Sequence, residues 1–237
     1  MVCVDATTGK QLWNETIDGP KREDAYSGYL QEHGYASGTP VSDGNSVFAF
    51  FGKAGVVAYS LDGKKLWQKD LGQMSSNRRW GSGASPVIFN DVLIVNAYEE
   101  ARAIFGLSTR IGEELWKAEY DSLELCFATP VLAPGEGDVM EAVISMPTEA
   151  WGLNALNGKL RWYCETATSG NVSPSVVVGK GQFFTFGGFP EEQTNAITRG
   201  GRKNVTGSHK VWQSRDSSYV ATPLLVDDHL YWVTDRG

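Results

Sequence analysis

Tyr26, Tyr29, His33 and Tyr35 fall among acids and glycines at residues 18–35, and Arg78, Arg79 and Trp80 are contiguous. Tyr, Trp and Arg dominate binding hot spots because each joins a broad apolar surface to a polar or charged tip. These seven are the candidate ligand-face residues. The plainer reading, that the aromatics pack under a loop or fill a funnel, stands beside the binding one and weighs somewhat more. Bond-making chemistry is harder to assemble. His33, His209 and His229 show no metal spacing. Cys3, Cys126 and Cys164 form no Cys-x-x-Cys pair, and their odd number leaves one thiol free unless it pairs between chains. Glu99 and Glu100 would face the second-to-third strand loop of their unit, whereas glycoside hydrolysis needs two acids across a cleft. No catalytic, metal-ligating or cofactor-binding residue is assigned.

The elements that must hold these residues are set by an internal repeat. Five segments carry a turn glycine and then Trp: DATTGKQLW (5–13), SLDGKKLW (60–67), STRIGEELW (108–116), ALNGKLRW (155–162) and NVTGSHKVW (204–212). The tryptophans recur about every 50 residues, the length of one propeller blade. A second mark interleaves: SGTPV (37–41), GASPV (83–87), FATPV (127–131), VSPSV (172–176) and VATPL (220–224). Two independent marks with one period predict an all-β chain, a β-propeller of four-stranded antiparallel blades in a single domain, 1–237.

Each unit reads as four strands. The proline mark opens the first, where a missing N–H is tolerated. An alternating apolar second strand follows, as at 47–51, 92–96, 139–145, 183–186 and 230–233. The turn glycine supplies the positive φ of a bulged hairpin between the third and fourth strands. A blade cannot bury both faces alone, so the repeated Trp is expected to wedge between neighbouring blades. The longest inter-blade connections, 18–35 and the segment holding Arg78 to Trp80, lie on one face of such a scaffold.

Composition narrows the function. The net charge is −7. The basic clusters Arg78-Arg79 and 199–203 are short, so a nucleic-acid partner is not expected. No apolar run approaches the roughly 20 residues that cross a bilayer, and the opening residues 1–5, which read as strand, are not expected to act as a leader. The chain contains four whole repeats plus two half-blades. Either the ends pair, 234–237 running into 1–5 to close five blades, or the chain is part of a seven- or eight-bladed ring. The second arrangement is preferred.

The repeat resembles the pyrroloquinoline-quinone-like (PQQ-like) propeller family over nearly the whole chain, most closely at 5–13, 37–41 and 82–87. It looks nearest to a large bacterial group of such repeat proteins, typically exported. It is more distantly similar to the lipoprotein scaffold of the outer-membrane β-barrel assembly machine. The resemblance implies blade docking by Gly9, Trp13, Gly63, Trp67, Gly112, Trp116, Gly158 and Trp162. Gly207 and Trp212 depart by one residue. It also implies a periplasmic or cell-envelope location. Quinoprotein dehydrogenases of the family hold the quinone against a vicinal disulfide beside calcium, and no adjacent cysteines occur here. The expected function is a non-catalytic binding or scaffold module for a protein, peptide or glycan, without cofactor. The alternatives are part of a PQQ-dependent dehydrogenase with calcium, or a carbohydrate-active enzyme.

Overall fold

The computed structural model describes residues 1–35 and 37–234. The chain opens with a hairpin of β1 (Val2–Val4) and β2 (Gln11–Asn14). A first complete blade contains β3 (Val41–Ser42), β4 (Ser46–Phe50), β5 (Val56–Ser60) and β6 (Lys65–Lys69). The next contains β7 (Val87–Phe89), β8 (Val92–Ala97), β9 (Ala103–Ser108) and β10 (Glu114–Glu119). The third is β11 (Val131–Pro134), β12 (Met140–Met146), β13 (Glu149–Asn154) and β14 (Leu160–Glu165). The fourth is β15 (Val177–Gly179), β16 (Gln182–Thr185), β17 (Thr194–Thr198) and β19 (Lys210–Ser214), with β18 (Lys203–Asn204) between its last two strands. A second hairpin, β20 (Leu224–Val226) with β21 (His229–Tyr231), follows. Each blade is antiparallel with its strands in chain order, and β18 crosses over to pair in parallel with β14 of the preceding blade. Short helices α1 (Tyr29–His33), α2 (Tyr98–Ala101) and α3 (Thr206–His209) sit in connections.

This is the β-propeller expected from the repeat: four whole blades and two half-blades. Among the described residues no ladder joins the first hairpin to the last. Part of the proposed seam, 235–237, lies outside the described residues.

Strand alternation explains the packing. β8 is buried along its whole length. Val92 and Ile94 pack with Ala142, Ile144, Trp151 and Leu153 of the following blade, while Leu93, Val95 and Ala97 pack with Phe48, Val56 and Ala58 of the preceding one. Successive side chains point to opposite faces, so a sheet held between two others must be apolar on both. Each large side chain buried this way contributes about 1.5–3 kcal/mol.

The first strands β3, β7, β11, β15 and β20 lie side by side in that order. A ladder of main-chain to hydroxyl bonds joins the residues just before them. The N–H of Thr39 donates to Ser85 Oγ at 2.9 Å, Ser85 to Thr129 Oγ1 at 2.9 Å, Thr129 to Ser175 Oγ at 3.1 Å, and Ser175 to Thr222 Oγ1 at 3.0 Å. The ladder corrects one alignment. β15 begins at Val177 and its hydroxyl is Ser175, so Val176 takes the register of the proline and Pro174 lies two residues early.

Toward the outer strands, Trp13 Nε1 donates to the Leu61 carbonyl and Trp67 Nε1 to that of Thr109, each at 3.0 Å and each in the next blade. A Cβ on Gly63 would sit 2.7 Å from the Trp13 ring, and one on Gly112 would sit 2.6 Å from Trp67. Trp116 covers Gly158 in the same way and also Gly106 of its own blade, but its Nε1 has no partner among the described residues. Gly9 has nothing within 4 Å of its Cβ position.

The fourth blade departs from this pattern. Trp162 lies over Gly152 of its own sheet, stacks on Phe183 at 5.3 Å and donates Nε1 to Glu141 Oε2 at 2.8 Å. Glu141 is fully buried and paired with Arg161 Nε at 2.6 Å. Gly207 sits in α3 with nothing near its Cβ position, and buried Val205 packs against Trp162 instead. The extra residue between Gly207 and Trp212 is taken up by the β18–α3 detour. Trp212 is 41% exposed.

Candidate functional site

The connection before β3 is pinned by one apolar anchor, Leu30, the sole buried residue of α1. His33 Nε2 donates to the Trp80 carbonyl at 2.8 Å, and Ser37 Oγ lies 2.6 Å from His33 Nδ1. These bonds tie the connection before β3 to the one before β7. The Tyr29 ring meets Trp80 edge-on at 4.7 Å, and Trp80 in turn lies 5.8 Å from Phe127. The Arg78 guanidinium is 5.4 Å from the Trp80 ring centre. Tyr29, His33, Arg78 and Trp80 therefore come together. Tyr26 and Tyr35 form a separate pair at 5.6 Å, with Tyr35 Oη donating to the Asp24 carbonyl. Arg79 sits at φ 53°, a left-handed conformation that side-chain-bearing residues seldom adopt.

Beside this cluster is a cleft of about 310 Å³. Tyr29, His33 and Trp80 line it, and so do Phe127, Asn171 and Tyr219, which the sequence reading missed. Ser37, Gly83, Phe127, Ser173 and Val220 also line it, one from each inter-blade connection. Each of these five stands two residues before the ladder hydroxyl of its unit, Ser85 following Gly83 and Thr129 following Phe127. That offset from the Ser/Thr mark is the sequence signal that finds them. A wider depression of about 1020 Å³ lies over Phe189, Glu191 and Arg215, lined only by residues between Ala167 and Thr234.

Beneath residues 18–35 lies a second group. Glu99 and Glu100 of α2 are both 1% exposed. Ser82 Oγ donates to Glu100, and the Ser76 N–H donates to Glu99 Oε1, while Glu99 Oε2 has no partner among the described residues. Burial pushes the Glu100 carboxyl up to about 8, with Ser82 opposing, and burial raises Glu99 too. Lys53 is 6% exposed, with Nζ 2.7 Å from Asp24 Oδ2 and 2.8 Å from Ser75 Oγ. Burial works against charge on Asp24, but the hydrogen bonds from Lys53 and Ser75 outweigh it and hold its carboxyl below the usual value. The acids share an enclosed space of about 10 Å³, room for roughly one water.

The family model described as outer membrane protein assembly factor BamB matches residues 1–237. The chain belongs to the BamB family. Among solved structures it is similar to BamB from Moraxella catarrhalis, at 16% identity and TM-score 0.51, over 83% of this chain and 57% of that one. It thus spans 57% of the length of that BamB. The quinohemoprotein alcohol dehydrogenase from Comamonas testosteroni gives 18% identity and TM-score 0.43, over 60% of this chain and 22% of that one. Quinohemoprotein alcohol dehydrogenase ADHIIG from Pseudomonas putida HK5 gives 16% and 0.43, over 59% and 21%. At 16% identity the likeness to the Moraxella BamB is one of fold. No curated protein matches.

This BamB-family chain has no adjacent pair of cysteines that could form a vicinal disulfide. Cys3, Cys126 and Cys164 are free thiols apart in sequence. Among the described residues no group of three or more His, Cys, Asp or Glu is placed to hold a metal ion, and the Lys53 ammonium stands beside Glu23 and Asp24. Among the described residues no helix is long and apolar enough to cross a membrane.

Proposed function

We propose that this chain is a non-catalytic binding module whose contact surface is the face carrying the inter-blade connections. The observation that carries the reading is the cleft itself. Equivalent positions of five repeats line it, and it is flanked by the Tyr29–Trp80–Arg78 cluster. Rigid sheets hold these loops in place, and binding groups gather on loops so held. Tyr26, Tyr35 and Arg79, which do not line the cleft, are assigned in this reading to the surrounding contact surface. Membership of a family described by an outer membrane protein assembly factor supports a scaffold role, a protein partner and a cell-envelope location; a peptide or glycan partner belongs to the same reading without that support. Neither nucleic acid nor a cofactor has a part in this reading.

The test is a photo-crosslinking side chain placed at position 80 in the producing cells, with Leu66 on the outer strand β6 as the control position. A discrete adduct at 80 and none at 66 is expected. Equal labelling at the two positions, or none at 80, overturns the proposal.

A further inference from the structure

We infer that the cleft takes an uncharged saccharide, a ligand with flat apolar faces and a rim of hydroxyls. The inference rests on the binding reading and names the ligand class for that site. Three features of the cleft lead to it.

The first is the wall. Tyr29, Trp80 and Phe127 form a continuous aromatic surface, with Tyr29 at 73° to Trp80 and Phe127 at 34° to it. Such a wall offers apolar area to the C–H face of a sugar ring while leaving its edges wet. A space of about 310 Å³ is at the small end for ligand sites and suits one or two rings.

The second is the polar inventory. Among the described residues lining the cleft there is no Asp, Glu, Lys or Arg. Asn171 is 2% exposed and donates Nδ2 to Tyr219 Oη at 2.9 Å. That bond uses a lone pair of the phenol and leaves its O–H to donate outward. Ser173 adds a hydroxyl at a further point of the lining, and Ser37, whose O–H is turned to His33 Nδ1, adds acceptor lone pairs. A sugar hydroxyl both donates and accepts, as these groups do. A phosphate or carboxylate would find no cation in the lining.

The third decides between a sugar and a peptide. An extended peptide is held mainly by main-chain hydrogen bonds along an open edge. Around this cleft the N–H groups of Thr39, Ser85, Thr129 and Ser175 are already bound to the hydroxyls of adjacent blades. That row of main-chain donors is therefore closed to a peptide strand.

The experiment titrates the full chain with neutral tetrasaccharides of α- and β-linked glucose, galactose, mannose and N-acetylglucosamine, following tryptophan emission and ligand NMR line widths. An uncharged Gly/Ser/Tyr pentapeptide is the competing probe. Saturable binding of at least one saccharide is expected. Tyr219→Phe should weaken it about tenfold through one lost donor, or about 1.4 kcal/mol. Trp80→Ala should abolish it, and Trp212→Ala, outside the cleft, should not change it. Tyr219→Phe keeps the test valid if Trp80→Ala fails to fold. No saccharide binding up to about 10 mM, past the weakest useful Kd near 1 mM, overturns the inference. So does saccharide binding indifferent to Tyr219→Phe, or preference for the peptide. An adduct at position 80 together with failed saccharide titrations would leave the binding module standing and remove only its ligand class.

Discussion

The main-chain N–H of Ser85 ends on the hydroxyl of Thr129, 2.9 Å away and 44 residues later, and Thr129 passes the same bond on to Ser175. The hydroxyl is thus an acceptor for the neighbouring blade. Thr129→Val keeps the shape and removes the acceptor, leaving the Ser85 N–H without a partner. Such a loss costs about 1–3 kcal/mol. Thr129→Ser should be near neutral. Urea melts of the two variants check this, and equal midpoints would show that the ladder contributes nothing.

The indole wedges differ from the rim arginines in kind. Trp67→Ala opens a cavity between blades and should destabilise by about 3–5 kcal/mol. Arg78→Ala with Arg79→Ala should stay within about 0.5 kcal/mol, since both are exposed. Thermal unfolding separates the outcomes, and an equal fall in Tm would contradict the division.

Two glycines of the same mark should respond with opposite sign. Gly112 has φ 72° and lies against Trp67, so Gly112→Ala meets both a strained backbone and an indole and should destabilise by about 1–3 kcal/mol. Gly207 is helical in α3 with open space at its Cβ position, so Gly207→Ala should stabilise by about 0.5–1 kcal/mol. Chemical denaturation of both variants tests the contrast.

That contrast shows what was legible in the sequence. The period, the blades and the alternating second strands follow from local pattern, because glycine turns and apolar alternation are short-range demands. Gly207 matched the pattern by type, but its extra residue let the chain detour through β18, and Val205 packs where a turn glycine stands elsewhere. Pro174 misled for a related reason, since its strand is registered by the Ser175 hydroxyl. Tyr29, His33 and Trp80, which composition singles out, line one cleft with Phe127, Asn171 and Tyr219, which it does not. What joins them is contact between connections 44 or more residues apart, and that arises only once the blades are arranged about their axis.

Glu100 sets a pH dependence. Its folded value near 8 stands above the ordinary 4.5, so the folded chain holds an extra proton between those values. Stability from this group is complete below about pH 4.5 and is lost as pH rises to about 8, falling by about 1.4 kcal/mol per pH step of one across that window. Burial raises Glu99 in the same direction. Glu100→Gln should flatten the decline. Melting temperatures of the two proteins from pH 5 to about 9 should converge toward the acid end, and parallel curves would remove Glu100 as the cause.

Lys53 decides whether the acids beneath residues 18–35 need a metal. Its ammonium contacts Asp24 at 2.7 Å and Glu23 at 3.9 Å, and it is nearly buried. If it is the counter-ion of the group, Lys53→Met leaves Asp24 charged and partly buried and should cost about 3–5 kcal/mol. Asp24→Asn added to Lys53→Met should recover part of that loss, because it removes the charge left unpaired. Calcium, alone or with pyrroloquinoline quinone, should then leave the Tm and the quinone absorbance of the parent protein unchanged. A rise in Tm with calcium that grows in Lys53→Met would show that the ammonium occupies a cation site, and would return the quinone-dependent reading to contention.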